Sequence, residues 1–507
     1  MSSSALVGYQ HLIDALGLRV VPPARPARVA PVQRVQPLDG VLQIPAGVAP
    51  QSSRPLDHLL FALKHEGTDL AVISAAFDHI GPHDLLAELA ARPTGGFIRK
   101  ACYLWETLRG QVLTPARADG AMVPLFDPDK YLVAEHGVRD SKWRVDMNGL
   151  GNWDMCPAVR RTPGIDAMVR EDVLAQASEA LRAINPEMLE RAMAWAYLNE
   201  TRNSFAIERE MPAHTRELAY VRLLQQVWSD RRMDEDYLVE IQNATIMNAV
   251  DRAAQYRGQQ NHLSDGGRGA VGVTYVPPAP EHVERLMAGV LSIANADGAA
   301  MPALVRASLA SFGFVYVHPF MDGNGRLSRF LSHYVLAHSG ILPERTILPL
   351  SVAMKRDEIG YLRALQAFSR PARALWDVTW VDGAQFDFAF QGYPDIYRFW
   401  DATAQTEFVA RMGQQALQHD IVAEVSYLES FERAYRRLNA EFDLRNPVLT
   451  SLLRMCVDNG GTVSTHRRKQ FALDLPPDLH AEIFAAIEQV VREEFSGLTP
   501  PAGRQRG

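Results

Sequence analysis

The sequence predicts a mainly α-helical protein with a few small β elements. Apolar residues recur at helical spacing along most of the chain. Alternation of β type is confined to short runs within 122–156, 268–276 and 376–388. The hydrophobic fraction of 47% and the charged fraction of 22% are those of an ordinary water-soluble protein. At 507 residues the chain exceeds one typical domain and can bury a large core.

The elements follow in order. Residues 22–55 are proline-rich, with interleaved arginine, valine and alanine, so 1–55 reads as an extended segment rather than a domain. Helical patterns at 56–64, 71–79, 84–91 and 96–109, followed by short β-type runs around Asn148-Gly149, make 56–165 a helical N-terminal domain with a small β element. His79 and His83 have metal-like spacing, but Gly81-Pro82 breaks any helix between them, which argues against a metal there. A core is expected over 166–370, with long helices before and after a glycine-containing β segment. In 376–388, alternation on both sides of Asp382-Gly383 is a two-residue hairpin signal, and its aromatic face needs a packing partner, for which the core is the candidate. The remainder of 371–507 reads as amphipathic helices, broken at Asn459-Gly460-Gly461.

Charge and cysteine content narrow the class further. A net charge of −7 argues against a general nucleic-acid or anionic-membrane binder. The triplet Arg467-Arg468-Lys469 follows a helix–turn–helix-like pattern, yet the acidic stretch after it (Asp474, Asp478, Glu482, Glu488) favours a solvated helix start. No run of ~20 apolar residues offers a membrane span, and the first residues lack a basic segment ahead of an apolar core, so the cytoplasm is the expected compartment. Cys102, Cys156 and Cys456 are far apart and odd in number, as expected of reduced thiols.

The most specific stretch is 318–329, His-Pro-Phe-Met-Asp-Gly-Asn-Gly-Arg-Leu-Ser-Arg. His318 titrates near neutral pH and can take a proton from an attacking hydroxyl. Asp322 is a single carboxylate of the kind that holds Mg²⁺ beside phosphates. Gly323-Asn324-Gly325 tolerates positive φ and can form an anion nest. The stretch 326–339 reads as helix and stops at Gly340, placing the nest at a helix N-terminus that favours phosphate. Arg326 and Arg329 are three apart and share a helical face. Singly these residues fit a turn before an amphipathic helix; together they form an inventory for handling a nucleoside triphosphate.

This run resembles the signature of the Fic family, HPFx(D/E)GNGRxxR, at every defined place: His318, Pro319, Phe320, Asp322, Gly323, Asn324, Gly325, Arg326 and Arg329. The resemblance is firm over about 200–345. It implies a helical core that transfers AMP from ATP to a protein hydroxyl. In that reading His318 deprotonates a target Ser, Thr or Tyr, and Asp322 holds Mg²⁺ across the α- and β-phosphates. Gly323, Asn324, Gly325 and Arg326 form the anion hole, and Arg329 meets the γ-phosphate. Relatives that phosphorylate targets carry Lys in place of the second motif glycine, which here is Gly325, so nucleotidyl transfer is the implied chemistry.

Two further motifs fit the resemblance. Ser204 and Glu208 match the family's inhibitory pattern (S/T)xxxE(G/N), on a helix expected over about 186–210; the next residue, Arg209, departs from it. The resemblance implies that Glu208 pairs with Arg329 and denies the γ-phosphate its site, or that it serves removal of AMP from modified targets. A plain helix end, with Glu208 near Arg209 or Arg202, is the bland alternative. The stretch 268–276, with Val271, Gly272, Val273 and Thr274, reads as a short hairpin ended by Pro277-Pro278. It resembles the family's flap, which adds a target segment as a strand. Arg257 and Asn261 resemble a stretch that packs beside the nucleotide pocket.

The expectation is a Glu208-restrained protein adenylyltransferase using ATP and Mg²⁺. Its partner is a protein substrate, with the chain itself among the candidates, and self-association stays open. The alternatives are a Glu208-dependent remover of AMP and a non-catalytic nucleotide-sensing regulator. Phosphate-reading residues leave the base open.

Overall fold

The computed structural model describes all residues except 1–4, 115–117, 247, 249–250, 268, 298–300, 384, 443, 473 and 499–507. Helices dominate, and the β structure is limited to small sheets of two to four strands. No helix among the described residues is long and apolar enough to cross a membrane. The chain divides into two compact units, 1–171 with 230–335 and 359–409, and 172–229 with 336–358 and 410–507. These units cut across the boundaries expected from sequence, because the expected 166–370 core contributes to both.

In the first unit the proline-rich segment is folded, contrary to the extended segment expected. Leu6–Val7, Ala27–Val29, Val41–Ile44 and Gln36–Leu38 form a four-stranded sheet in that order. Proline is accommodated where no ladder donor is required: Pro37 lies on the edge strand, and the Pro26 carbonyl accepts from the Leu42 amide at 3.0 Å. Val7, Ala27, Ile44, Ala49 and Phe61 bury the inner face of the sheet. Helices Pro55–His65, Leu70–Ala76, Pro82–Ala91 and Gly96–Arg109 follow, close to the ranges expected. His58 of the first is buried between two backbone partners: its Nδ1 accepts from the Gly8 amide at 3.2 Å, and its Nε2 lies 3.1 Å from the Ser52 carbonyl.

Several contacts tie this N-terminal part to the rest of its unit. The Cys156 and Ala158 amides donate to the Arg398 and Trp400 carbonyls, both at 2.9 Å. Gly289, in the helix Val283–Ala294, lies so close to Asp154 and Met155 that a Cβ there would fall 2.4 Å from the Met155 Cβ. That helix packs on Ala303–Val317, which is buried along nearly its whole length.

The hairpin around Asp382-Gly383 forms as Trp376–Asp382 with Gln385–Phe390. Its aromatic face packs on Val273 and Val276, so the partner is the β segment of the core.

The second unit is helical. Its longest helix, Pro186–Ile207, starts at an Asn185 cap whose side chain accepts from the Glu187 amide. Buried Glu200 on this helix accepts from the Ser351 amide at 2.7 Å and from the Ser351 hydroxyl. Lys355 Nζ donates to the Ala206 carbonyl at 3.2 Å. A π-helical turn, Ala416–Ile421, places Asp420 against Arg356 in a two-pronged pair at 2.9 and 2.8 Å. In the basic triplet, Arg468 lies over the Phe484 ring and donates to Glu488, so it packs within its unit. Cys102, Cys156 and Cys456 are buried and unpaired as disulfides, and burial pushes each thiol up to about 12.

Candidate active site

Helix Ala303–Val317 is apolar nearly all round, which sends it to the centre of its unit. It ends at His318, whose φ of 52° and ψ of 59° are left-handed and whose amide donates to the Phe314 carbonyl. Pro319 cannot continue a helix. A non-glycine residue in this conformation costs about 1–2 kcal/mol and persists only where its surroundings hold it. Arg257 supplies the hold. Its Nε donates to the His318 carbonyl at 2.8 Å, and its Nη2 to the Pro278 and Val317 carbonyls at 2.6 and 3.3 Å. Its backbone amide donates to the Pro319 carbonyl at 2.8 Å. Burial lowers the Arg257 guanidinium to about 10, which leaves it charged at neutral pH and its hydrogen bonds charge-assisted.

The imidazole of His318 is buried, with Nδ1 3.1 Å from the Val315 carbonyl. A carbonyl can only accept, so Nδ1 carries the proton of the neutral ring and Nε2 carries the lone pair. This is the tautomer a general base needs.

The loop after His318 is braced by amides. Asn324 Nδ2 donates to the Phe320 carbonyl at 2.8 Å, while the Phe320 amide donates to Asn324 Oδ1 at 3.0 Å. The Asn324 side chain therefore shapes the loop. Asn261 Nδ2 reaches the Phe320 and Met321 carbonyls at 3.3 and 3.2 Å, and Gln242 Nε2 reaches the Asp322 carbonyl at 3.3 Å. Gly323 has φ of +85°, a left-handed value that suits glycine. Helix Asn324–Ala337 then begins, so the first-turn N–H groups, which lack intrahelical acceptors, face the same end as the helix dipole. Asp322 is partly exposed; its Oδ1 accepts from the Gly323 amide at 2.6 Å and from Arg326 Nη2 at 3.3 Å. Arg326 is buried and also donates from Nη1 to the Thr245 carbonyl at 3.1 Å. Arg329 is buried one helical turn further on. Among the described residues no cluster of three or more His, Cys, Asp or Glu could hold a metal. A lone accessible carboxylate fits an ion that draws its other ligands from water and phosphate oxygens.

The expected flap starts earlier than its sequence suggested. Its first strand is Leu263–Ser264 and its second Val273–Tyr275; Val271 and Gly272 belong to a 3₁₀ turn, Gly269–Gly272, and Arg268 lies outside the described residues. Alternation across 271–275 concealed the turn, because a turn can carry an outward Val271 as readily as a strand can. Thr274 Oγ1 donates to the Leu263 carbonyl at 3.2 Å. Tyr275 Oη donates to the Tyr316 carbonyl at 2.6 Å, fixing the flap two residues before His318.

Glu208 and Ser204 lie in the second unit. Ser204 is buried, and Glu208 is the C-cap of helix Pro186–Ile207. The Arg209 amide donates to the Ala206 carbonyl at 3.0 Å, and the Glu210 amide to the Phe205 carbonyl at 3.1 Å. These two bonds form a Schellman motif, with Arg209 at the left-handed C′ position, φ 59°. The inhibitory pattern asks for Gly or Asn at this position, and the backbone gives the reason, because these two residues adopt it at least cost.

Sequence reading named Arg257 and Asn261 without roles and missed Gln242, Tyr275 and Tyr316 as braces of the site. Gln242 did leave a signal, as a polar residue on the buried face of Glu235–Thr245 beside Leu238 and Ile241.

Residues 232–336 match the family model described as Fic/DOC family, and this stretch of the chain is a Fic domain. Relatives similar to it are named protein adenylyltransferases. One from Nematostella vectensis is 33% identical over 110 residues, covering 21% of this chain and 24% of the relative. One from Caenorhabditis briggsae is 39% identical over 77 residues, 15% of each chain. The match thus spans about a quarter or less of these relatives. Among solved structures, a Fic domain-containing signalling protein from Bacteroides thetaiotaomicron is 17% identical, with a TM-score of 0.37 over 51% of this chain and 96% of that one. Fic-1 from C. elegans (residues 134–508) is 15% identical, with a TM-score of 0.35 over 70% and 90%.

Proposed function

We propose that this chain is a protein adenylyltransferase that moves AMP from ATP to a Ser, Thr or Tyr hydroxyl of a protein. The observation that carries the reading is the His318 turn, whose Nδ1 is committed to Val315 and which leads directly into a helix N-terminus. In this reading Nε2 takes the proton of the target hydroxyl as its oxygen attacks the α-phosphorus, and pyrophosphate leaves. The first-turn amides after Gly323, together with Arg326, stabilise the charge growing on phosphate oxygens, and Arg329 orients the γ-phosphate. Asp322 would hold Mg²⁺, which neutralises phosphate charge when bound. Gly325 leaves the helix start without the lysine of the phosphorylating relatives.

Glu208 restrains the reaction in this account, by pairing with Arg329 and displacing the γ-phosphate. Supporting this are its match to the inhibitory pattern and its place at the C-cap of helix Pro186–Ile207. The test compares wild type, Glu208→Gly and Glu208→Gly/His318→Ala with α-labelled ATP and Mg²⁺, with and without cell lysate. Strong labelling by Glu208→Gly, weak labelling by wild type and none by the double variant support the restrained transferase. Labelled protein that loses its label only when Glu208 is present favours the remover of AMP.

A further inference from the structure

An apolar strip leads from the signature loop to the tip of the Trp376–Phe390 hairpin. Asn261 donates to the Met321 carbonyl at 3.2 Å, and Met321 is half exposed beside the reacting turn. The next residue, His262, packs its ring on Phe386 and Phe388, with centroids 5.0 and 5.5 Å away. Phe386 is the register partner of Trp380, whose side chain is 51% exposed. Leu263, next after His262, is also exposed, as is Val381 beside Trp380. The strip is rigid where it meets the flap. Arg373 donates to the Val273 and Ala270 carbonyls of the flap segment at 2.9 and 3.2 Å, and to the Trp376 carbonyl of the hairpin at 2.9 Å.

Carboxylates stand at both ends of this strip. Asp265 follows the first flap strand and Asp382 sits at the hairpin tip, while neither 261–267 nor 376–390 contains a Lys or Arg. The guanidinium of Arg373 is spent on the three carbonyls. Burial between the two phenylalanines holds His262 below its ordinary pKa, so it adds no positive charge at neutral pH.

We infer that the Trp380–Phe386–His262 strip is a second docking ledge for the target protein, taking an extended segment that carries an aromatic or large aliphatic residue and flanking Lys or Arg. The inference rests on the transferase reading above, since the hydroxyl to be modified would lie at the signature end. Partner selection follows from the chemistry. The exposed indole gains from burying an apolar side chain, and the carboxylates favour cations and repel acidic segments. From Met321 to Trp380 the path is one hydrogen bond, one residue step, one ring contact and one strand spacing. That is on the order of 15–20 Å along the path, or roughly five residues of an extended strand, so the aromatic residue belongs at most about that far from the hydroxyl.

The test uses two dye-labelled dodecapeptides that share a central Thr. One carries Phe and two Lys on one side, and the other has Ser and two Glu in their place. Binding is read by anisotropy on the full chain, and transfer from α-labelled ATP on the Glu208→Gly background. Wild type, Trp380→Ala and Asp382→Lys are compared; both positions are exposed and lie outside the signature. The ledge predicts at least tenfold tighter binding and faster labelling of the Phe/Lys peptide. It also predicts loss of most of that preference in both variants, with ATP affinity unchanged. Equal treatment of the two peptides, or a preference that survives Trp380→Ala, overturns the ledge, even where labelling occurs and the transferase reading stands. Ledge-dependent binding with no labelling of any peptide keeps the ledge and removes the transferase reading.

Discussion

At the scale of single residues, the site depends on backbone carbonyls held from behind. His318 sits in a left-handed turn that its own side chain does not favour, and Arg257 grips the carbonyl on that turn. A lysine at 257 keeps the charge, but its single ammonium cannot reproduce the fixed fork that spans His318, Pro278 and Val317. We expect Arg257→Lys to lower kcat about 10- to 100-fold through misplacement of the imidazole. ATP affinity should stay within about twofold, because no phosphate contact is removed; steady-state kinetics beside nucleotide titration separates the two. A parallel loss of ATP affinity would mean that Arg257 merely supports the fold. The residue types at the centre were legible in the sequence because the signature packs them into twelve positions. The braces were not, because Arg257, Gln242 and Tyr275 act on main-chain carbonyls that come together only after the chain has turned back on itself.

At the scale of elements, helices were read well, and the range 96–109 coincides with its helix, because apolar periodicity and terminal glycines are local signals. The short strands were read poorly. Residues 27–44 form three strands, of which 36–38 and 41–44 pair across the two-residue turn Asp39-Gly40 while 27–29 pairs with 41–44 and 6–7; their prolines, which suggested an extended linker, sit at edges and ends where no donor is needed. The end of Pro186–Ile207 shows what a motif departure means physically. Arg209 occupies a left-handed C′ position, so Arg209→Gly should relieve about 1 kcal/mol of backbone strain. Hydrogen exchange at residues 209 and 210 should slow about fivefold in that variant, the factor for 1 kcal/mol. If Glu208 restrains transfer, basal labelling should fall with it. Unchanged exchange would show that the motif is already fully closed despite the arginine.

At the scale of the whole molecule, the compact units differ from the contiguous stretches 1–55, 56–165, 166–370 and 371–507 expected from sequence. Sequence reading assumes contiguous domains, but the two units are each assembled from three separated segments. No local pattern reports such interleaving. The first unit carries its own pH response. Burial lowers His58 to about 4, with the nearby His11 adding to the shift, so the folded state favours the neutral ring. The sign follows: this contribution is fully present above the unfolded value of about 6.5 and is lost as pH falls through 4. The shift corresponds to roughly 3 kcal/mol, and after discounting for solvent screening acid should cost this unit on the order of 2 kcal/mol from this residue alone. His58→Gln should start less stable, since it loses a matched pair of bonds, but should lack that slope between pH 6.5 and 4. Denaturant melts at a series of pH values would show it, and parallel slopes in the two proteins would assign the acid response elsewhere.

The central claim is that the signature moves the α-phosphoryl group with its nucleoside and not the terminal phosphate. It is tested most directly by incubating the Glu208→Gly chain with ATP labelled at the α-phosphate, or in parallel at the γ-phosphate, and mapping the labelled residue by mass spectrometry. The account predicts α-label on a Ser, Thr or Tyr side chain, no γ-label on protein, and loss of the signal with His318→Ala. Incorporation of the γ-label, or an α-label signal that survives His318→Ala, would contradict it.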